Sequence, residues 1–148
     1  MSEADSLAEA FRQLGSTSAV LGGLAFTAAV AILAVGAGTA DRRALTRPAA
    51  ITAGTAIASA ACLIVSSLAW SLLTVQAVRA SAEEHGLDPS VAALNRPASI
   101  AFIGGLVFLF ASVGASGWIA SRALGMVTSA IALLSGAVAL LFVLRFAS

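Results

Sequence analysis

Few side chains in this chain can do chemistry, and those that can lie apart from one another. The one histidine, His85, stands in "AEEHGLD" beside Glu83, Glu84 and Asp88. Such a set could hold a cation weakly or respond to pH. Its spacing matches no metal-binding loop, and a solvated, charged loop is the plainer reading. Cys62 is alone, which excludes an internal disulfide. Within "SAACLIV" it reads as a small packing hydrophobe with a protonated thiol. The chain has no Cys/His cluster, so no metal and no cofactor is expected. Catalysis inside a membrane needs Ser/His, paired Asp or His/Glu sets. None is present, and an enzyme is not expected.

The charges that could act instead divide the chain. Between Arg12 and Asp41 lie 28 uncharged residues, between Arg47 and Arg79 31, between Arg96 and Arg122 25, and between Arg122 and Arg145 22. A bilayer core needs about 20 apolar residues per helix, and in lipid the backbone must satisfy its own hydrogen bonds. The windows therefore predict four transmembrane helices over about 16–39, 50–77, 98–120 and 124–144. The composition agrees: 59% of residues are hydrophobic and 10% charged, and mean hydropathy is +1.00. Soluble domains carry about 25% charged residues. The expectation is an all-α membrane protein, one domain over 1–148. A net charge of +1 draws no nucleic acid. All eight basic residues are Arg, and with so much Ala this points to a bacterial chain of high-GC coding in the inner (plasma) membrane.

The one sizeable loop is 78–97, punctuated by Gly86, Pro89 and Pro97. Pro48 and Pro97 suit first helical turns, where the missing N–H costs little. The tight "ASRALG" joint predicts an antiparallel hairpin of helices three and four. The opening "MSEADSLAEAFRQLG" lacks the basic n-region of a signal peptide. Residues 4–14 predict a short amphipathic helix with Leu7, Phe11 and Leu14 on one side, lying at the interface. Orientation is undecided by count: four Arg (Arg42, Arg43, Arg47, Arg122) fall on one side and four (Arg12, Arg79, Arg96, Arg145) on the other. The dense "DRRALTRP" loop favours a cytoplasmic face there. Trp118 fits an interfacial anchor and Trp70 a packing position.

No ionisable residue falls within a span, which argues against proton relays and coupled transport. Small residues dominate instead. Ala19, Gly23, Thr27 and Ala31 fall four apart on helix one, with Ser18 and Gly22 beside them. Helix three has Ala101 and Gly105, and helix four Ala132 and Gly136. Such strips let backbones approach where lipid supplies no hydrophobic force. Gly22, Gly23, Gly104, Gly105, Ala101 and Gly136 are the expected packing positions, and their number suggests a homo-oligomer or a partner membrane subunit. The two glycine pairs sit in matching frames, Leu21-Gly-Gly-Leu24-x-Phe26 and Ile103-Gly-Gly-Leu106-x-Phe108, a possible trace of a parallel repeat.

"STSAVLGGLAFTAAVAIL" resembles the pore-lining first helix of Orai-type calcium-channel subunits, which also have four transmembrane helices. "AITAGTAI" is similar to the start of that family's second helix and "AFIGGLVFLFASVGASGW" to its third. The resemblance implies a ring of subunits with helix one around a central pore. Its face would be Ser16, Val20, Gly23, Leu24, Thr27 and Ala31, which share one side of a helix. Where the family carries its calcium-selecting acid this chain has Ala31, and where it carries an inner basic residue, Ser16. The acid expected near Ala111 is also absent. A pore lined this way has no charged ring to attract Ca²⁺, and its apolar constriction would tend to dewet. Two other readings stand beside the channel. One is a structural or accessory subunit that does not transport. The other is a facilitator using the hydroxyls of helix two (Thr52, Thr55, Ser59, Ser66, Ser67, Ser71, Thr74), although such hydroxyls more often bond their own backbone.

Overall fold

The computed structural model describes residues 3–37, 46–82 and 93–146. They form four helices: α1 Glu3–Ala37, α2 Arg47–Ala82, α3 Asn95–Ala120 and α4 Arg122–Phe146. All four are long and apolar enough to cross a membrane, and the protein is an all-α membrane protein. The loop residues Asp41, Arg42, Arg43, Glu83, Glu84, His85 and Asp88 lie outside the described residues.

The separate N-terminal helix expected over 4–14 is not formed. α1 runs unbroken from Glu3 to Ala37. Glu9 bonds within its own helix, to Arg12 at 2.7 Å and to Gln13 Nε2 at 3.1 Å. The expected apolar side also divides. Phe11 is buried, while Leu7 and Leu14 are exposed. Phe11 joins Trp70, Leu73, Ala77 and Ala98 in a cluster built by α1, α2 and α3. Gly15 then lies against the Ser67 carbonyl and the Trp70 Cβ. The tertiary contact of this first part of α1 keeps the helix continuous where charge alone suggests a break.

The helices pack in chain order. α1 lies on α2, α2 on α3 and α3 on α4, while α1 and α3 touch only slightly. α2 is the most enclosed helix and α4 the least. The buried side of α1 repeats at helical spacing: Phe11, Gly15, Ser18, Gly22, Ala25, Ala29. It is almost wholly small, so the backbones come close.

Serine hydroxyls bond α2 to its two neighbours, and Thr128 and Ser129 of α4 donate to the Gly114 carbonyl of α3 at 3.1 and 3.3 Å. Ser67 donates to the Gly15 carbonyl at 3.0 Å, Ser59 to the Gly105 carbonyl at 2.8 Å, and Ser112 to the Thr52 carbonyl at 3.1 Å. Such bonds average about 0.6 kcal/mol in membrane proteins. Trp70 is 2% exposed, and its ring meets Phe102 edge-on at 5.1 Å. It is a packing residue, as its depth in the span implied.

The hairpin of α3 and α4 turns on one residue. Ser121 is extended (φ −163°, ψ 161°), and its N–H donates to the Gly117 carbonyl. Its Oγ accepts from the Leu124 N–H at 3.1 Å, so the same serine closes one helix and caps the next. Gly117 has no room for a side chain, since Thr128 Oγ1 and the Leu124 carbonyl occupy the space.

Candidate functional site

One residue of α2 ties the two glycine pairs together. Leu63 is fully buried. A Cβ on Gly22 would stand 3.3 Å from the Leu63 Cβ, and one on Gly105 would stand 2.7 Å from its Cγ. Each pair therefore turns one glycine to Leu63. The other member, Gly23 or Gly104, has nothing within 4 Å of where a Cβ would be. The pairs are used in opposite order: the first glycine packs in α1 and the second in α3. Equal frames in the sequence thus do not occupy equal surroundings. Of the remaining packing positions, Ala101 is half-buried, and a Cβ on Gly136 would stand 3.4 Å from the Phe110 ring.

Packing α1 through Ser18, Gly22, Ala25 and Ala29 leaves its opposite side open. Ser16, Val20, Gly23, Leu24, Thr27 and Ala31 are all exposed, with Val20 at 61% and Leu24 at 62%. A rotation of about 100° per residue sets these six on a strip facing away from α2. The strip is uncharged. It carries two hydroxyls, Ser16 and Thr27, and that of Thr27 donates to the Gly23 carbonyl at 2.8 Å. An apolar strip of this kind offers no ligand set for a divalent ion.

The hydroxyls of α2 are mostly committed. Thr52, Thr55, Ser71 and Thr74 donate to carbonyls of their own helix at 2.8 Å. Ser59 and Ser67 reach α3 and α1. Ser66 is buried, and its hydroxyl has no hydrogen-bond partner among the described residues. They are spread between helices and do not converge on a path. Cys62 is half-buried on α2 beside the α3 backbone, its Cβ 3.4 Å from the point where a Gly105 side chain would start. Among the described residues no three His, Cys, Asp or Glu side chains come together to hold a metal.

Sequence reasoning passed over Leu63. The available signal was positional: "AITAGTAIASAAC" is nearly all small, and Leu63 opens the bulkier run "LIV" that follows it. A large side chain at the end of a small stretch is a natural knob for glycine-lined neighbours. No family model, no curated protein and no solved structure matches this chain.

Proposed function

We propose that this protein is a channel-like subunit that assembles into a ring, with the open strip of α1 facing the axis. The observation that supports it is the division of α1 into a small buried side against α2 and an uncharged side facing away. The order of packing fits the same picture, with α2 and α3 between α1 and an outermost α4. The Orai-like outline of the first three helices points the same way. Calcium selectivity is not part of the reading, because Ala31 stands where an acidic ring would be needed. Its Arg-only basic residues and high Ala content fit a bacterial inner membrane.

Cysteine scanning of Ser16 to Ala31 in a Cys62→Ala background tests this reading. A water-soluble thiol reagent should alter conductance at Ser16, Val20, Leu24, Thr27 and Ala31. It should be silent at Ser18, Gly22, Ala25 and Ala29. Equal reaction around the helix, or none at any position, sinks it. A monomeric particle in nanodiscs would do so as well.

A second reading is favoured by the apolar character of the same strip. Val20 and Leu24 on it are each more than half exposed. A subunit that transports nothing could use this side against a partner's helix. It predicts co-purification with that partner and no ion flux from the purified protein in liposomes. Robust flux from the protein alone counts against it.

A further inference from the structure

The outer side of the α3–α4 hairpin holds a second feature, independent of what α1 does. A groove of about 670 Å³ runs between the two helices. That volume falls in the range of about 300–1,000 Å³ typical of ligand sites. Its walls are apolar, with Ile103, Phe110 and Trp118 from α3 and Leu133 and Gly136 from α4. Gly136 leaves it open, because a side chain there would start 3.4 Å from the Phe110 ring. From Ile103 to Trp118 the helix rises about 22 Å, more than the roughly 15 Å of hydrocarbon in one leaflet. The groove is long enough for a whole acyl chain lying along the membrane normal.

Its end at the hairpin is built differently. The Trp118 indole N–H donates to Ser129 Oγ at 3.1 Å, and the ring lies over Gly125. This fixes an aromatic plate near the end of α3, and tryptophan prefers span ends, beside lipid headgroups. Arg122 follows on the strip of α4 that carries Ser129, Leu133 and Gly136, two helical turns beyond Ser129 toward the turn. It is exposed, and among the described residues no carboxylate pairs with it. A cation above an apolar trough of this length matches a molecule with a phosphate at one end and a hydrocarbon chain below.

We propose that the groove seats one acyl chain of an anionic phospholipid, with its headgroup phosphate held by Arg122. The chain supplies the occupancy and Arg122 the headgroup preference. A single arginine near the surface favours an anionic lipid by about fivefold.

The chain has two tryptophans, and Trp70 is buried. A Trp70→Phe protein therefore reports on Trp118 alone. It is reconstituted with phospholipids brominated on the acyl chain, which quench indoles they touch. Dibrominated phosphatidylglycerol should quench Trp118 with about fivefold higher apparent affinity than dibrominated phosphatidylcholine. Arg122→Gln should bring the two together, and Ala111→Phe, which fills the groove from its open wall, should weaken both. Native mass spectrometry of the unmodified protein gives a second reading: one phosphatidylglycerol should survive a detergent wash that strips the Ala111→Phe variant. Equal affinities for the two headgroups overturn the proposal, as does quenching that Ala111→Phe leaves unchanged. Loss of all lipid from the unmodified protein in that wash overturns it too.

Discussion

The seam of α1, α2 and α3 and the hairpin of α3 and α4 are both built on glycine, but the glycines do different things. In the seam, Gly22 and Gly105 receive the same side chain, Leu63, and serine hydroxyls reach across to backbone carbonyls. In the hairpin, Gly117 receives backbone, the Leu124 carbonyl, together with the Thr128 hydroxyl. A side chain can move to another rotamer at modest cost, whereas a carbonyl moves only if its helix moves. The seam is therefore adjustable at Gly22 and Gly105, and the hairpin is not at Gly117. This contrast can be tested by adding single methyl groups.

The largest effect is expected at Gly117→Ala. Thr128 can turn aside, but the new methyl also meets the Leu124 carbonyl, which no rotamer change moves, so the hairpin must open, at a cost of about 3 kcal/mol. Equilibrium unfolding in mixed detergent micelles would measure it. A loss below that of Gly105→Ala would break the distinction between the two regions.

Gly105→Ala should come next, at about 2 kcal/mol, because Leu63 must leave its place. Leu63→Ala in the same chain should make the methyl harmless. The double variant should then lose at least about 1 kcal/mol less than the two single losses combined. Strict additivity in that cycle would show that Leu63 is not what fills the space. Ser59→Ala removes the bond to the Gly105 carbonyl and should cost about 0.6 kcal/mol. Smallest of all are Gly23→Ala and Gly104→Ala, which meet open space. Each should stay within about 0.5 kcal/mol of the parent, tending to stabilise through better helix propensity. In a ring built on α1 the two would part. Gly23→Ala would then alter assembly or conductance, and Gly104→Ala would not.

The four helices were legible because charge in a membrane protein is confined to the ends of spans. Arg47, Arg96 and Arg122 each fall within the first two residues of a helix. The tight hairpin of α3 and α4 was legible too, since "ASRALG" leaves no length for a loop, although α4 starts at Arg122 rather than at 124. The continuity of α1 was not. Glu9 and Arg12 look like the signature of a surface helix, and only the burial of Phe11 against Trp70 and of Gly15 against α2 shows otherwise. Nor could the sequence say which glycine of each pair packs. Adjacent residues differ by about 100° around a helix, and α1 is small on both candidate strips, Ala19-Gly23-Thr27-Ala31 and Ser18-Gly22-Ala25-Ala29. The choice is made by Leu63, forty residues away. The open strip of Val20, Leu24 and Thr27 follows from that choice, so its direction was no more readable than the packing that sets it.

Ser121 has a consequence for how the protein enters the membrane. One extended residue spans at most about 3.6 Å, and a bilayer core is about 30 Å thick. α4 thus cannot take a side of its own during biosynthesis. It must follow α3 into lipid as a re-entering pair, with Arg122 left on whichever face α3 reaches. The topology signal of the last two spans is a single decision, and charges added after α4 would have to invert both helices to be obeyed.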